Sequence, residues 1–339
     1  MKKHLPLYLR FPFFSGLVIS ALEILAVTAN AQITITSADM PMAGNTYFSA
    51  NDTNVTNVGT AGANQQWNFS GWNNHWIDTN EFVDPSSLAG FSSFSSSNLG
   101  LKINNSNIFL NNSSASLDIL GFYGDFGGGP SPLPFVPAQK FISFPSNYQS
   151  TFSGVAKYEM TVPYNQPPVD SNKSISTINY FSEMDAWGSL TTPEYSNLSC
   201  LRQKYTEIKT DSSFARISGI WTSTGTNIDT TISYRWWSDS QEFIIAEIQT
   251  DGSGNVTSAN YRTTPPPPVQ ISFIANPMNG CVPLTVDFTN TSTDGVYYQW
   301  NFNDGDSYTG FDTSHTFINA GMYFVSLVAA DSFGNPIGY

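Results

Sequence analysis

The chain has 339 residues, with 13 Lys and Arg against 26 Asp and Glu, and its formal net charge is −13. Nucleic acids and anionic membrane surfaces attract clustered Lys and Arg, so this acidic balance argues against both as partners. Charged residues make up 12% of the chain and aromatic residues 14%, a composition rich in Tyr, Phe and Thr that favours strands over helices.

Residues 1–31 have the parts of a Sec-type signal peptide. A basic start precedes the apolar run FPFFSGLVISALEILAV, and the small-x-small site ANA follows it. An uncleaved membrane anchor is the alternative, but Glu23 lies inside the apolar run, where a charge is costly in a spanning helix. Gln32, not Cys, follows Ala31, which argues against a lipoprotein. We therefore expect cleavage after Ala31, no later membrane span, and a secreted or cell-surface location.

Residues 32–262 indicate one antiparallel β-rich domain, either a β-sandwich or a partly closed barrel. Between residues 174 and 262, strand-like runs alternate with turn clusters, which predicts a meander. The predicted turns are Thr210-Asp211-Ser212-Ser213, Gly225-Thr226-Asn227, Ser238-Asp239-Ser240 and Asp251-Gly252-Ser253-Gly254. The stretch from Gly124 to Pro137 is too rich in Gly and Pro for a central strand, and we expect a mobile excursion there.

Clustered tryptophans are the candidate ligand-binding residues of this region. Trp72 and Trp76 lie in GWNNHWID, and Trp237 follows Trp236. Stacking of Trp72, Trp76 or Trp237 on a glycan is one interpretation, and packing within the β domain is the favoured alternative. Adjacent strand residues face opposite sides, so one of Trp236 and Trp237 is expected to be buried and the other exposed.

Catalytic motifs are missing from the mature sequence. Its two histidines, His75 and His315, fall in different predicted domains, which leaves little for a zinc site or a Ser-His-Asp triad. A glycoside hydrolase needs two carboxylates, so a secreted polysaccharide-degrading hydrolase with an accessory module stays as the alternative to a non-catalytic protein. Its candidate acids are Glu159, Glu183, Asp185, Glu194, Glu242 and Glu247.

Residues 263–269 form a predicted linker, because four consecutive prolines favour a stiff polyproline II segment. The linker separates residues 32–262 from residues 270–339. Cys200 and Cys281 then fall in different domains, and we expect both thiols to be free.

Residues 270–339 resemble a PKD (polycystic kidney disease) domain, an immunoglobulin-like β-sandwich. Apolar and polar residues alternate along its strands, as expected when one face is buried. The family's hairpin and later strands are matched by Trp300, Phe302, Asp304, Gly305, His315, Gly321, Tyr323, Val325 and Leu327, and its first strand by Gly280, Pro283, Leu284, Val286, Phe288 and Asn290. Asn303 replaces the usual glycine. The chain stops at Tyr339, where the family's last strand begins, so we expect the domain to lack that strand.

The hairpin sequence WNFNDGD allows two interpretations. In the first, Asp304-Gly305 makes the turn while Trp300 and Phe302 pack in the core. In the second, Asp304 and Asp306 hold Ca²⁺ together with Asp312 or backbone carbonyls, as in some family members. Ca²⁺ takes six to eight oxygens and the local sequence supplies two or three carboxylates, so the turn is favoured. The resemblance implies that His315 bonds to the hairpin and has a structural role, not a catalytic one.

A second resemblance covers part of the large region. DAWGSLTTP at residues 185–193, Leu201-Arg202 and the later YRWW at residues 234–237 resemble an uncharacterised β-rich domain at the N-terminus of surface proteins exported by the type IX secretion route. It implies export machinery as a partner and an adhesive or scaffolding role. The sequence therefore predicts a non-catalytic modular protein that binds an extracellular glycan or surface protein, with the PKD-like module as spacer or interaction unit.

Overall fold

The computed structural model describes residues 33–103, 106–265, 270–293, 297–330 and 336–338. The predicted signal peptide and residues 266–269 of the predicted linker lie outside the described residues. Regular structure in the described ranges is β apart from three short 3-10 turns, at Ser37–Asp39, Pro85–Ser87 and Phe91–Ser93. The predicted all-β fold class is confirmed. No helix in these ranges is long and apolar enough to cross a membrane.

Thirteen strands form one sheet. They are β1 Thr46–Asn51, β2 Gly62–Asn68, β3 Trp76–Val83, β4 Leu99–Ile103, β5 Ser106–Asn112, β6 Ser116–Asp125, β7 Pro130–Ser143, β8 Thr151–Gln166, β9 Val169–Thr191, β10 Leu198–Ile217, β11 Ile220–Trp237, β12 Ile244–Asp251 and β13 Val256–Thr263. Their order is β2-β9-β10-β11-β12-β13-β1-β3-β4-β5-β6-β7, with β8 also paired to β9. The β2–β9 pair is parallel and the other pairs within the described sheet are antiparallel.

Strand β7 stands at one end of the strand order, and β8 pairs with β9 near the other end. Because β7 and β8 nevertheless lie beside each other, the sheet curls on itself. Side chains of β10 reach the backbone of β7 across the interior: Gln203 Nε2 donates to Phe141 O at 2.8 Å, and Tyr205 Oη donates to Lys140 O at 2.8 Å. A curled sheet encloses a side-chain interior, as a barrel does. The candidate site lies in that interior.

Strands β9 to β13 are sheet neighbours in chain order, so the predicted meander is confirmed. The turns at residues 238–240 and 251–254 also lie where the sequence placed them. The predicted turns at residues 210–213 and 225–227 are wrong, because those residues lie inside β10 and β11. The pairing of these two strands shifts register at a bulge between Ser213 and Phe214. The chain reverses instead at Ser218-Gly219, where both residues have positive φ.

The mobile excursion expected from Gly124 to Pro137 is also wrong. Strands β6 and β7 form a hairpin there, and Asp125 Oδ1 closes its turn by accepting from the N–H groups of Gly127 and Gly129 at 2.8 and 3.1 Å. Strand β7 is last in the hydrogen-bonded order, so its prolines have no second ladder to break.

Both faces of β11 are covered at its C-terminal end. Trp237 packs inside the curl with Leu201 and Phe82, whereas Trp236 packs on the other side with Trp67 and Cys200. The expectation that one of the two tryptophans is exposed is therefore wrong, since both are at least 99% buried. Cys200 is a buried free thiol and Cys281 an exposed one.

The C-terminal strands form two smaller sheets around a separate core. One contains β14 Phe273–Asn276, β15 Leu284–Asn290 and β18 Thr313–Phe317, and the other contains β16 Tyr297–Asn301, β17 Ser307–Thr309, β19 Ser326–Ala330 and β20 Pro336–Gly338. The core between them holds the predicted apolar residues Val286, Phe288, Trp300, Phe302 and Leu327. The short β20 pairs with β19 in the second sheet.

Candidate functional site

A cavity of about 350 Å³ lies inside the curled sheet. Its apolar wall comes mainly from β4 to β7 and contains Leu101, Ile103, Ile108, Leu110, Leu117, Ile119 and Phe141, with Phe243 beside them. Its polar wall comes from β1, β3, β11, β12 and β13 and contains Ser49, Asn51, Asp78, Asn80, Arg235, Glu247, Gln249, Asn260 and Arg262. The volume and the division into two walls are typical of small-molecule sites.

Strand register gathers the polar side chains. Side chains that pair across neighbouring strands share one face of a sheet. One row across four adjacent strands consists of Arg235, Glu247, Asn260 and Asn51. A second row consists of Arg262, Ser49 and Asp78. Residues from five strands thus converge on one wall although they are up to 213 positions apart in the sequence, from Ser49 to Arg262.

Arg235 is buried in the polar wall. Its Nε donates to Glu247 Oε1 at 2.7 Å, and its guanidinium carbon lies 4.3 Å from the ring centroid of Phe141 and 5.1 Å from that of Tyr205. Among the described residues its Nη1 has no hydrogen-bond partner. Glu207 lies close enough to Arg235 to interact with it, and burial raises the pKa of that carboxyl group.

Arg262 is buried in the neighbouring row. Its guanidinium stacks 4.2 Å from the ring centroid of Tyr47, and its Nη2 donates to the backbone carbonyl of Glu242. Its Nε has no partner among the described atoms. The Tyr47 hydroxyl donates to Glu242 Oε2 at 2.6 Å, and burial raises the pKa of Tyr47.

Two carboxylates line the cavity, and both already accept hydrogen bonds. Glu247 accepts from Arg235, and Asp78 Oδ2 accepts from Asn51 Nδ2 at 2.8 Å. They lie on β12 and β3, which are three strand positions apart in the sheet. Of the other candidate acids, Glu242 bonds to the cavity residue Tyr47.

The remaining candidate acids lie elsewhere. Asp185 pairs with Arg202 at 2.8 Å, Glu159 lies 3.6 Å from Lys173, and Glu194 accepts from Thr263 at 2.9 Å. Glu183 lies on β9. Across the described strands, the six predicted acids therefore do not converge on one site.

The three candidate tryptophans occupy three different places. Trp72 lines a second cleft, of about 450 Å³, among the loops around β2, and its ring stacks on Phe69 with centroids 4.4 Å apart. Trp76 is 36% exposed on β3. Trp237 is 99% buried and its indole N–H donates to Gln203 at 3.1 Å, so its predicted role as a stacking platform is wrong. Both faces of β11 are packed, and no ring face of Trp237 is left for a ligand.

The WNFNDGD hairpin is bonded to β18. Asp304 Oδ2 lies 2.7 Å from His315 Nε2, and this hydrogen bond is the main reason that the pKa of Asp304 is lowered. Ligand atoms of Asp304, Asp306 and His315 lie within 4.8 Å of one another. Asp312, the third predicted Ca²⁺ ligand, instead accepts from the backbone N–H of Asn290 at 2.8 Å. Ca²⁺ prefers oxygen ligands, and one member of this group is an imidazole. The arrangement therefore fits the interpretation as a hairpin turn better than the interpretation as a Ca²⁺ site.

The other predicted PKD residues have structural positions. Trp300 Nε1 donates to Gly310 O at 3.1 Å, and Phe302 is buried against the His315 ring. Gly305 has a φ of 106° in the turn. Tyr323 Oη donates to Asn319 O at 2.9 Å, and Val325 packs against the core. Gly321 lies beside the Tyr323 ring, which a Cβ at this position would approach to 3.7 Å.

Sequence reasoning missed Arg235, Arg262 and Asp78. A signal for Arg235 exists in YRWW, because alternation puts Arg235 on the same face as Trp237, and an arginine on a buried face needs partners. The cavity itself is not visible in the sequence, since it depends on pairing between strands far apart in the chain.

Residues 264–337 match the family model of the PKD domain. This match supports the predicted PKD resemblance and begins directly after β13 ends at Thr263. PKD domains are typical of extracellular proteins. Comparison with curated proteins finds no match to the chain.

Proposed function

We propose that this chain is a non-catalytic modular binding protein of the secreted or cell-surface type. The curled sheet binds a small ligand in its interior cavity, and the PKD domain serves as spacer or interaction unit. The PKD match supports an extracellular setting. Export through the predicted signal peptide and the type IX route, and an adhesive or scaffolding role toward a glycan or surface protein, belong to the same proposal.

The observation that carries the proposal is the two-walled cavity. A ligand site needs apolar surface for burial and a few convergent polar groups for orientation. The cavity offers both, with the arginines Arg235 and Arg262 on one wall and the aliphatic residues of β4 to β6 on the other.

The positions of the acids favour binding over hydrolysis. Asp78 Oδ2 accepts a hydrogen bond from Asn51 at 2.8 Å, and Glu247 lies three strands away in the sheet order. Glu247 is paired with Arg235 Nε at 2.7 Å, so this carboxylate already has a structural partner. Both acids of the cavity are thus engaged by neighbouring side chains.

The proposal is tested by a thermal-shift screen of the full chain against oligosaccharides and small amphiphiles. A ligand at 100 times its Kd stabilises the folded state by about 2.7 kcal/mol and raises the unfolding temperature. We expect Ile108→Phe, which fills the cavity, to remove the shift. The same change at Ile228, which is 64% exposed, is the matched control and leaves the shift intact. A shift in unfolding temperature that persists in Ile108→Phe would show that the ligand binds outside the cavity.

A polysaccharide hydrolase is the second candidate, because Asp78 and Glu247 line one cavity. It predicts sugar release from a glycan panel, lost in Glu247→Gln and in Asp78→Asn. Release that depends on both acids would replace the binding proposal. Release unaffected by either variant would place the activity outside this cavity and leave the cavity as a binding site.

A further inference from the structure

We infer that the cavity takes an anionic amphiphile, with its anionic head against Arg235 and Arg262 and its apolar body along the opposite wall. The inference rests on the proposed function, because it names the ligand class of the same cavity. The head is defined by its negative oxygens, as in a carboxylate or a sulfate.

Unused donors on two buried arginines point to an anion. Arg235 and Arg262 are 6% and 8% exposed, and both line the cavity. Arg235 Nη1 and Arg262 Nε are buried without a partner among the described residues. A buried donor left without an acceptor costs free energy, and a charged donor costs more than a neutral one. A ligand oxygen in the cavity removes that cost.

Arg262, unlike Arg235, has no described carboxylate within ion-pair distance, although Glu242 attracts it from farther away. Arg235 is paired with Glu247, whereas Arg262 makes no ion pair with a described carboxylate and bonds through Nη2 to a backbone carbonyl. Asp78, the other acid of the wall, accepts from Asn51 and lies two strands from Arg262. Glu242 is bonded through its carboxylate to Tyr47. An anion at Arg262 supplies a direct ion-pair partner, and guanidinium binds carboxylate and sulfate oxygens strongly.

The opposite wall explains why the ligand needs an apolar part. Leu101, Ile103, Ile108, Leu110, Leu117 and Ile119 present hydrocarbon side chains from three adjacent strands. A free inorganic anion or a small sugar would leave this surface in contact with water. An alkyl chain buries it, and each buried CH₂ strengthens binding severalfold.

The test separates head from tail by isothermal titration calorimetry on the full chain. The four probes are octanoate, octyl sulfate, 1-octanol and acetate. We expect both anionic amphiphiles to bind, 1-octanol to bind at least about tenfold more weakly, and acetate to give no detectable heat.

Two variants locate the head and the tail. Arg262→Gln is expected to weaken octanoate binding by about tenfold or more and to leave 1-octanol binding nearly unchanged. Arg216→Gln, at an exposed position on β10, removes the same charge and is the matched control. Ile108→Phe is expected to abolish binding of all the amphiphiles, whereas Ile228→Phe does not. Thermal unfolding of each variant confirms that it is folded.

The remaining outcomes overturn the inference in distinguishable ways. Equal affinity for octanoate and 1-octanol, or an Arg262→Gln variant that binds octanoate normally, refutes the anionic head and keeps the cavity as a binding site. A neutral oligosaccharide whose binding is lost in Ile108→Phe, with no amphiphile bound, refutes the ligand class and keeps the proposed function. A protein that binds none of the amphiphiles or oligosaccharides contradicts both.

Discussion

His315 is held on three sides in the small sandwich. Its ring stacks on Phe302 at 4.1 Å with an interplanar angle of 4°, meets Phe317 edge-on at 4.7 Å, and its Nε2 lies 2.7 Å from Asp304 Oδ2. The bond ties the WNFNDGD turn to β18. Residues that are 11 to 13 positions apart in the sequence are therefore in direct contact in the folded sandwich.

The Asp304–His315 bond predicts an acid-sensitive contribution to stability. The pKa of Asp304 in the folded protein lies below its ordinary value of 3.8, chiefly because of the bond to His315. Both states are ionised above that value, so the contribution is complete there. As the pH falls from 3.8 toward the folded pKa, the unfolded state takes up a proton first and the contribution is lost.

We expect Asp304→Asn to lower the stability of the sandwich at pH 7 by at most about 1 kcal/mol, since the pair is partly exposed. We also expect the variant to lose part of the decline in stability below pH 3.8. The measurement is urea unfolding of the full chain at pH 7 and pH 3, followed by tryptophan fluorescence. Asp306→Asn in the same turn is the control, and an equal effect of both variants would contradict a specific bond.

Single residues show where sequence reasoning works and where it stops. The positions of Trp300 and Phe302 follow from local alternation, because a two-sheet sandwich has one buried face per strand. The burial of Trp237 does not follow, because alternation separates the two faces of β11 without showing that both are covered. The environment of Arg235 does not follow from local alternation either, because its partners Glu247, Phe141 and Tyr205 come from three other strands.

At the scale of elements, β2 is the strand with unusual pairing. It joins β9 in parallel, and Gln65 pairs with Gly188. A Cβ added to Gly188 would meet the backbone of Gln65 at 1.9 Å, a contact that no side-chain movement relieves. The close approach of the two strands therefore requires glycine at this position.

Gly188→Ala is expected to lower the free energy of unfolding by about 1–3 kcal/mol or more, because β2 must move away from β9. Gly225→Ala is the matched control, since a Cβ at Gly225 has nothing within 4 Å. The control is expected to be neutral or stabilising by up to about 1 kcal/mol. Urea unfolding of both variants gives the comparison, and similar free energies would show that the β2–β9 approach is looser than the structure has it.

The long strands explain the two turns that the sequence misplaced. Strands β9, β10 and β11 have 23, 20 and 18 residues, well beyond the usual length of five or six. The distal part of β11, residues 220–230, is largely exposed, so polar residues and glycine cost little there. Short-range turn propensity cannot distinguish such a strand from a loop, since the difference lies in pairing with neighbouring strands.

At the scale of the whole molecule, the buried clusters divide at the predicted linker. The buried members of three clusters lie between Ile35 and Tyr261, and those of the fourth between Val286 and Ala329. No cluster of described residues combines members from both ranges. Each range thus has its own hydrophobic core, which is the physical requirement for independent folding.

Independent cores predict two separable unfolding transitions in calorimetry of the full chain. The fragment of residues 33–264 is expected to keep the midpoint of its transition within about 2 °C, because it loses no buried contact of its own core. Trp300→Ala in the full chain is expected to destabilise the small sandwich alone by about 3–5 kcal/mol, since Trp300 is fully buried there. A single transition that Trp300→Ala shifts as a whole would mean that the two units fold cooperatively. Two transitions would make residues 33–264 sufficient for ligand binding, because the residues that line the cavity belong to that range.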